Sequence, residues 1–369
     1  MSVDRDKGLR DSAGRADGRL VTLAHGAGGR LTAELVREVF LRHFRSRHLA
    51  PLGDSALVPP GGGRLALTTD GFVVDPLFFP GGDIGRLAVC GTVNDLAVAG
   101  AAPAYLTASF IIEEGLPFEV LERVGLSMAR AAEEAGVEVV TGDTKVVERG
   151  GCDKLFIVTS GVGFVLPGAD IGPSRVRPGD RLVLSGPVGQ HGVAVLSQRE
   201  GLGFASSVRS DCAPVAGLTT RLIEELGPAV RWMRDPTRGG LATVVCELAE
   251  ETGLDVFLEE ESIPVPEDVA AACELLGLDP LYLANEGKVL VVVEEAAAGR
   301  AVDLLREAGQ PDAAVIGTVE KIVGRTNPGG RGADRDGRPE PRPGAYLRTP
   351  YGGTRFLERL AGEQLPRIC

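Results

Sequence analysis

The sequence is poor in aromatic residues and in positive charge, and both shortages exclude classes of function. Of its 369 residues only 5% are aromatic, with one Trp and four Tyr, which disfavours a stacking surface for single-stranded nucleic acid. Asp and Glu number 51 against 39 Lys and Arg, so the net charge is −12. A negative chain repels phosphate backbones, and we therefore expect no nucleic-acid partner.

Long apolar runs and paired cysteines are also missing. No stretch of the sequence approaches the ~20 consecutive apolar residues of a membrane span, and residues 1–18 lack the apolar stretch of a signal peptide. The six cysteines form no CxxC pair, and the four histidines show no metal-ligand spacing. These features predict a protein of the reducing cytoplasm, with no membrane association and with mostly structural thiols.

The length of the chain predicts two domains rather than one core. Residues 1–18 are charged and aperiodic, so we expect a mobile lead-in there. Alternating helix and strand patterns predict an N-terminal α+β domain over residues 19–167 and a C-terminal α/β domain over residues 168–325. Residues 326–369 begin with a stretch rich in Gly, Pro and Arg and predict a flexible linker and tail.

Aspartates stand at strand ends or in Gly-rich turns throughout the chain. They are Asp54, Asp70, Asp95, Asp143 and Asp235. Each one alone is typical of a turn residue or a helix cap. Together they favour a cleft for Mg²⁺ and nucleotide phosphates, because Mg²⁺ binds both carboxylate and phosphate oxygens.

Glycine-rich turns precede several of the expected helices. Residues 25–29 come directly before the first helix, so their N–H groups either face a phosphate or belong to a surface loop. Residues 186–192 and 235–240 are similar turns in the second domain. Lys145, close to Asp143, is placed to neutralise a phosphate. Neither a Walker motif nor a GxGxxG motif after a strand is present, so neither type of nucleotide site is expected.

The last residue of the chain is a cysteine, Cys369, in the ending Leu-Pro-Arg-Ile-Cys. Either it is an accidental terminal residue, or it acts as a swinging nucleophile or carrier on a long tether. A flexible tether of about 39 residues has a typical reach of about 34 Å. That distance suffices to bring the thiol into a cleft of its own subunit or of a neighbour.

Assembled, these motifs resemble the HypE family of hydrogenase maturation proteins, the carbamoyl dehydratases. The family lies within the superfamily of aminoimidazole ribonucleotide synthetase, selenophosphate synthetase and thiamine monophosphate kinase. The terminal Pro-Arg-Ile-Cys is the most specific element. The other motifs that carry the resemblance are residues 25–29, 69–72, 94–95, 142–145, 185–192 and 235–240. The long Gly-, Arg- and Pro-rich spacer departs from the family pattern and should affect reach rather than chemistry.

The resemblance implies a fold and a set of site residues. An N-terminal α+β domain would dimerise through its sheet, and ATP would bind between it and the C-terminal α/β domain. Catalysis would involve Cys369, Lys145 and Asp95, and Mg²⁺ would be bound by Asp54, Asp95 and Asp235. The implied nucleotide contacts are Gly28, Gly29, Asp70, Asn94, Gly142, Asp143, Thr144 and Lys145.

The activity that the resemblance implies is an ATP-dependent dehydration. The terminal Cys of the family receives a carbamoyl group from the carbamoyltransferase HypF, and ATP phosphorylates the carbamoyl oxygen. Loss of phosphate and of the N–H protons then leaves a thiocyanate, whose cyanide passes to iron on the HypC–HypD complex. Mg²⁺ and Lys145 would stabilise the charge that develops on the leaving phosphate. The base is not identified by the sequence, and Asp95 and Glu286 are the candidates.

Two other functions compete with this one. The first is a selenophosphate synthetase or another kinase of the superfamily. Selenophosphate synthesis uses a reactive Cys or selenocysteine near the N-terminus, and no Cys precedes Cys90 here. The second is an ATP-responsive docking protein, for which Cys369→Ser would leave function intact. A dehydratase would instead be inactivated by that substitution and would still bind ATP.

Overall fold

The computed structural model of the chain describes residues 19–26, 30–46, 63–199, 207–321, 343–360, 365 and 367–369. The expected lead-in at residues 1–18 and most of the expected linker, residues 326–342, lie outside the described residues. Within them, no helix is long and apolar enough to cross a membrane. The mixed helix and sheet architecture in two parts confirms the predicted two-domain α+β fold. The domain bounds stay predictions.

A four-stranded sheet organises the N-terminal part. Its strands are β1 (Leu65–Phe72), β4 (Ala101–Glu113), β5 (Glu138–Val147) and β6 (Leu155–Val165). Two short strands, β2 (Phe78–Phe79) and β3 (Gly82–Asp83), form a separate hairpin between β1 and β4. The order across the sheet is β1-β6-β4-β5, so β1 and β5 form its two edges. Only β4 and β5 run parallel, and the other neighbours are antiparallel.

The helices of this part begin with an irregular segment. The sequence predicts one helix over residues 31–44, whereas the structure contains three pieces. They are α1 (Arg30–Leu35), a π-helical stretch (Val36–Leu41) and α2 (Arg42–Phe44). Val39 and Phe40 are buried and contribute to the N-terminal core.

Two long helices follow, and the first of them lies between the two domains. Helix α3 (Ile84–Val98) begins after Asp83, whose carboxylate accepts hydrogen bonds from two N–H groups of the first turn. Its residues are buried on nearly all sides, as expected for a helix packed on both faces. Helix α4 (Phe118–Ala135) ends at Gly136, where the φ of 70° favours glycine.

A seven-stranded sheet organises the C-terminal part. Its strands are β7 (Arg181–Leu184), β8 (Val230–Arg234), β9 (Asp255–Glu259), β10 (Leu290–Val293), β11 (Ala314–Glu320), β12 (Ala345–Arg348) and β13 (Thr354–Leu357). The order across the sheet is β13-β12-β9-β11-β7-β10-β8. The helices are α5 (Gln190–Leu196), α6 (Ala216–Leu226), α7 (Gly240–Thr252), α8 (Glu267–Leu276) and α9 (Ala298–Glu307).

The hairpin β12–β13 corrects the expectation of a flexible segment over residues 326–369. Strand β12 pairs in parallel with β9 and antiparallel with β13. Ala345, Leu347 and Leu357 are buried in the core of the C-terminal part. The physical reason is that apolar side chains at alternating positions find a buried face beside β9. Residues 345–357 therefore belong to the sheet.

Candidate active site

Three of the predicted acidic residues come together where α3, β1 and the loop after β8 meet. Asp70 lies on β1, and its carboxylate accepts a hydrogen bond from Thr92 Oγ1 at 3.0 Å. Asp95 lies on α3 and accepts one from Thr68 Oγ1 at 2.7 Å. Asp235 follows β8 and is buried. We call Asp70, Asp95 and Asp235 the acidic cluster.

The electrostatics of the acidic cluster fit a divalent cation. Burial, followed by the charges of Asp95 and Asp70, raises the pKa of Asp235 to about 7. Burial and the charge of Asp95 also raise the pKa of Asp70. Carboxylates that repel one another in this way are stabilised by Mg²⁺, which binds oxygen ligands.

The cluster by itself is not a complete metal site. Among the residues that the structure describes, no three His, Cys, Asp or Glu side chains are close enough to hold a metal ion. The remaining expected ligand, Asp54, lies outside the described residues, as do Gly28 and Gly29. Just before these glycines, His25 Nδ1 lies 2.9 Å from Thr22 Oγ1.

The segment 142–145 lies on β5, at the opposite edge of the N-terminal sheet from β1. The side chains of Asp143 and Lys145 are 57% and 66% exposed and form an ion pair, with Nζ 3.3 Å from Oδ2. Thr144 is buried, and a Cβ on Gly142 would lie 2.2 Å from a main-chain oxygen of β4. Three strand spacings separate β5 from β1, about 14 Å. Within one chain, the structure therefore does not bring Lys145 to the acidic cluster.

Asn94 lies between the domains, and its polar atoms are already engaged. The side chain is buried, and its Nδ2 donates to the main-chain oxygens of Ala213 at 3.1 Å and Glu286 at 3.2 Å. Its Oδ1 accepts a hydrogen bond from the Val215 N–H at 2.8 Å. In this structure Asn94 joins α3 to the C-terminal part, and its predicted nucleotide contact stays a prediction.

The last residues of the chain are bound, which is a second correction to the expected flexible tail. The Val73 N–H donates to Cys369 O at 3.2 Å, and the Asp75 N–H donates to Arg367 O at 3.2 Å. This is an antiparallel pairing of the tail with the segment that follows β1. We call residues 367–369 in this position the docked tail.

A buried histidine of α5 anchors the docked tail from the C-terminal part. His191 Nε2 lies 2.8 Å from Ile368 O, and a carbonyl oxygen only accepts, so we assign the proton to Nε2. Nδ1 then accepts from Ser210 Oγ at 2.8 Å. Burial lowers the pKa of His191, which favours this neutral form, and the ring packs edge-on to Phe79 at 5.3 Å.

Charged groups bind the docked tail at Arg367. Its guanidinium pairs with Asp153 and lies 4.0 Å from Asp75 Oδ2, while its Nε donates to Val73 O at 3.2 Å. Arg199 of the C-terminal part donates to Arg367 O at 2.8 Å and to Asp75 O at 3.0 Å. Both domains therefore bind the tail. The site fits the Arg-Ile-Cys sequence, because Asp75 and Asp153 complement the charge of Arg367 and Ile368 is buried.

Glu286 is a buried acid in the same region, and it is one of the two candidate bases that the sequence predicts. Its Oε1 is buried and has no hydrogen-bond partner among the described residues. Burial, followed by the charges of Asp235 and Asp211, raises its pKa well above the usual range. A buried carboxyl group with a perturbed pKa is a common proton-transfer group in active sites.

Two protein-family models and several curated relatives match most of the chain. The N-terminal domain model of AIR synthase related proteins matches residues 52–165, and the C-terminal domain model matches residues 177–324. Carbamoyl dehydratase HypE of Azotobacter vinelandii is 48% identical over 352 residues, covering 95% of this chain and 97% of that protein. The chain belongs to the HypE family of carbamoyl dehydratases. It is accordingly an enzyme of hydrogenase maturation.

Other HypE proteins agree with this assignment. Carbamoyl dehydratase HypE of Escherichia coli K12 is 44% identical over 358 residues, covering 95% of this chain and 99% of that protein. A crystal structure of hydrogenase maturation protein HypE in complex with ATP has a TM-score of 0.85 and 48% identity, with 94% of this chain and 99% of that chain covered.

Two further structures extend the comparison. A HypE–HypF complex has a TM-score of 0.73 and 44% identity, with 90% of this chain and 100% of that chain covered. Thiamine-monophosphate kinase of Stenotrophomonas maltophilia K279a has a TM-score of 0.57 at 18% identity, with 78% and 90% covered. The kinase therefore shares only the fold, whereas the HypE chains share both sequence and fold.

Proposed function

We propose that the protein uses ATP to convert an S-carbamoyl group on Cys369 into a thiocyanate, the source of the cyanide ligands of a [NiFe] hydrogenase. The observation that carries this proposal is the docked tail. An accidental terminal cysteine would need no binding site, whereas Cys369 ends a segment that Asp75, Asp153, His191 and Arg199 bind.

The proposed co-substrate is ATP, and the proposed cation is Mg²⁺. The ATP complex of a HypE relative supports the nucleotide. Asp95 and Asp235, with the predicted Asp54, would hold Mg²⁺, and the mutual repulsion within the acidic cluster supports this. When bound, Mg²⁺ would neutralise charge on the phosphates and on the phosphate that leaves. Lys145 stays a predicted catalytic residue.

The proposed reaction removes the elements of one water from the S-carbamoyl group. The carbamoyl oxygen takes the terminal phosphoryl group of ATP, the C–O bond then breaks as phosphate leaves, and both N–H protons are removed. The carbamoyl oxygen leaves within the phosphate, and the sum is S-carbamoyl-cysteine and ATP to S-cyanocysteine, ADP, phosphate and one released proton. Of the two candidate bases, Glu286 is better supported, because Asp95 already accepts a hydrogen bond and Glu286 Oε1 has no partner among the described residues. A carboxyl of raised pKa is also the stronger base once ionised.

The proposed partners are those of the family. A carbamoyltransferase of the HypF type would load Cys369, and the HypE–HypF complex of a relative supports this. A HypC–HypD complex would accept the cyanide in the cytoplasm. A homodimer would form through the open face of the N-terminal sheet, where Leu65 and Leu67 are 58% and 72% exposed.

The test is the intact mass of the C-terminal peptide after incubation with the carbamoyltransferase, carbamoyl phosphate and Mg-ATP. We expect a carbamoyl increment less one water, lost in Cys369→Ser and retained in the control Cys152→Ser. A carbamoyl group that persists with ATP bound would contradict the dehydratase and leave a carrier. No modification by an active transferase would favour the docking protein instead.

A further inference from the structure

Residues 210–213, which we call the interdomain bridge, cross the boundary between the two parts of the molecule. The Ser210 N–H donates to Pro80 O at 2.7 Å. Arg86 Nε of α3 donates to Cys212 O at 2.7 Å. Main-chain groups of the bridge are therefore held by the N-terminal part on both sides of Asp211.

The Asp211 side chain binds the turn that carries Glu286. It is buried, with Oδ1 3.2 Å from the Glu286 nitrogen and Oδ2 3.2 Å from the Gly287 nitrogen. Oδ2 also pairs with Lys288 Nζ at 3.1 Å, and the Lys288 side chain is buried as well. One carboxylate therefore fixes two successive peptide groups of the turn, and the ion pair fixes the carboxylate.

The turn approaches the bridge so closely that position 287 requires glycine. A Cβ on Gly287 would lie 1.9 Å from Asp211 O. The carbonyl oxygen of Glu286 is bound too, by Asn94 Nδ2 at 3.2 Å and by the Ala213 N–H at 3.3 Å. Both main-chain polar groups of Glu286 are therefore held, while its carboxyl Oε1 has no partner among the described residues.

The neighbouring bridge residue holds the docked tail. Ser210 Oγ donates to His191 Nδ1, and His191 Nε2 donates to Ile368 O. Cys369 packs against the apolar cluster that includes Ala284, two residues before Glu286. Two consecutive residues of the bridge therefore have different partners. Ser210 anchors the docked tail through His191, and Asp211 anchors the turn that carries Glu286.

We propose that Asp211 is a positioning residue of the dehydration, which holds the turn of Glu286 in register with the tail that Ser210 anchors. The inference rests on the proposed function, because it takes Glu286 as the proton acceptor. Loss of Asp211 would free the N–H side of the Glu286 peptide and let the carboxyl move away from the carbamoyl group. Displacements of about 1 Å lower rates by about a hundredfold in such sites.

The test uses the full-length protein, carbamoylated on Cys369 by its transferase and then given Mg-ATP. The mass of the C-terminal peptide is followed over time at several ATP concentrations. We expect Asp211→Asn to lower the dehydration rate by about ten- to a hundredfold, with the KM for ATP changed by less than about threefold. If Asp211 only stabilised the fold, its substitution would change both the dehydration rate and the KM for ATP.

A second variant guards against simple misfolding. Asp211→Asn leaves Lys288 buried without its counter-charge, which by itself is destabilising. The double variant Asp211→Asn, Lys288→Met removes both charges and still lacks one acceptor oxygen for the turn. We expect it to convert as slowly as the single variant, with a Tm close to wild type.

Two further variants distinguish the binding of the tail through Ser210 from the positioning of Glu286 by Asp211. Ser210→Ala should weaken tail docking, measured as faster tryptic cleavage after Arg367, whereas the Asp211 variants should leave that cleavage unchanged. Asp170→Asn is the matched control, because its side chain is 71% exposed and its carboxylate pairs with Arg175 Nε at 3.3 Å. We expect wild-type dehydration from it.

The outcomes distinguish the inference from the proposed function. Dehydration at the wild-type rate in both Asp211 variants would overturn the inference and leave the function standing. Joint loss of ATP binding and of Tm in the double variant would make Asp211 merely structural, which also overturns it. Failure of the wild-type protein to dehydrate its carbamoyl group would overturn the proposed function itself.

Discussion

At Asp235, burial and neighbouring charge act on the pKa in the same direction. The pKa of about 7, against an ordinary value of 3.8, keeps the folded carboxyl protonated over a pH range where the unfolded chain is ionised. The folded state therefore binds more protons between these two values, and stability falls as the pH rises from about 4 to about 7. The size of the effect is about 1.4 kcal/mol for each pH unit of the window.

Asp235→Asn should remove this pH dependence. Without Mg²⁺ or nucleotide, we expect its free energy of unfolding to exceed that of the wild type at pH 8 and to approach it near pH 4. Urea unfolding in EDTA at both pH values measures the difference. An unchanged pH slope in the variant would show that Asp235 does not titrate in this window.

The hydrogen bond from His191 to the docked tail should contribute to the stability of the docked state. His191→Phe keeps a ring that can pack edge-on to Phe79 but removes the donor to Ile368 O. Since a buried carbonyl then loses its partner, we expect a less stable docked state and cleavage after Arg367 by trypsin at least about tenfold faster. His43→Phe, in α2 of the N-terminal part, serves as the control and should be cleaved at the wild-type rate.

Some residues of the candidate site could be predicted from the sequence, and others could not. Five aspartates, at 54, 70, 95, 143 and 235, were predicted to line one cleft, because each lies in a recognisable turn or at the end of an element. The structure brings those at 70, 95 and 235 together but leaves Asp143 exposed on β5 at the opposite edge of the sheet, and Asp54 lies outside the described residues. Asp211 carried no such signal, since it lies in an irregular segment between α5 and α6. Its importance depends on which turn packs against it, and contacts between distant segments are not written in local patterns.

At the scale of elements, regular segments with clear ends were predictable. The sequence predicts a helix over residues 267–276, and α8 has those bounds, because Pro266 precedes it and Gly277, with a φ of 67°, follows it. The sequence does not predict strand β8. Its five residues mix Arg with apolar side chains, and only pairing with β10 at the sheet edge defines it.

The hairpin β12–β13 should contribute to the stability of the C-terminal part. Leu347 is 1% exposed, so we expect Leu347→Ala to lower the free energy of unfolding by about 2–4 kcal/mol. Chemical denaturation measures it. Tyr351→Ala, at the hairpin tip with 98% exposure, is the matched control and should change stability by less than about 0.5 kcal/mol. Equal effects would mean that the hairpin is not part of the folded core.

At the scale of the whole molecule, the docked tail contacts both domains and so links them. Segment 73–75 and Asp153 of the N-terminal part bind it together with His191 and Arg199 of the C-terminal part. The same boundary contains the acidic cluster and Glu286. Under the proposed function, the thiol of Cys369 would visit a transferase and then a catalytic cleft, and such a role requires a bound state that is specific but reversible. Hydrogen bonds and ion pairs that remain partly open to solvent provide such a state.

The N-terminal sheet has helices on one face, and its open face should form the proposed dimer. Leu67 on β1 is 72% exposed on that face, and burying such a side chain is worth about 1.5–3 kcal/mol for each subunit. We expect Leu67→Glu to dissociate the dimer, because a carboxylate would then have to be buried in the interface on each subunit. Sedimentation equilibrium at micromolar concentration measures the mass. Leu275→Glu is the matched control, since Leu275 is 71% exposed on α8 of the other domain, and it should stay dimeric. A wild-type protein that sediments as a monomer would contradict the prediction outright, and a Leu67→Glu dimer would move the interface to another surface.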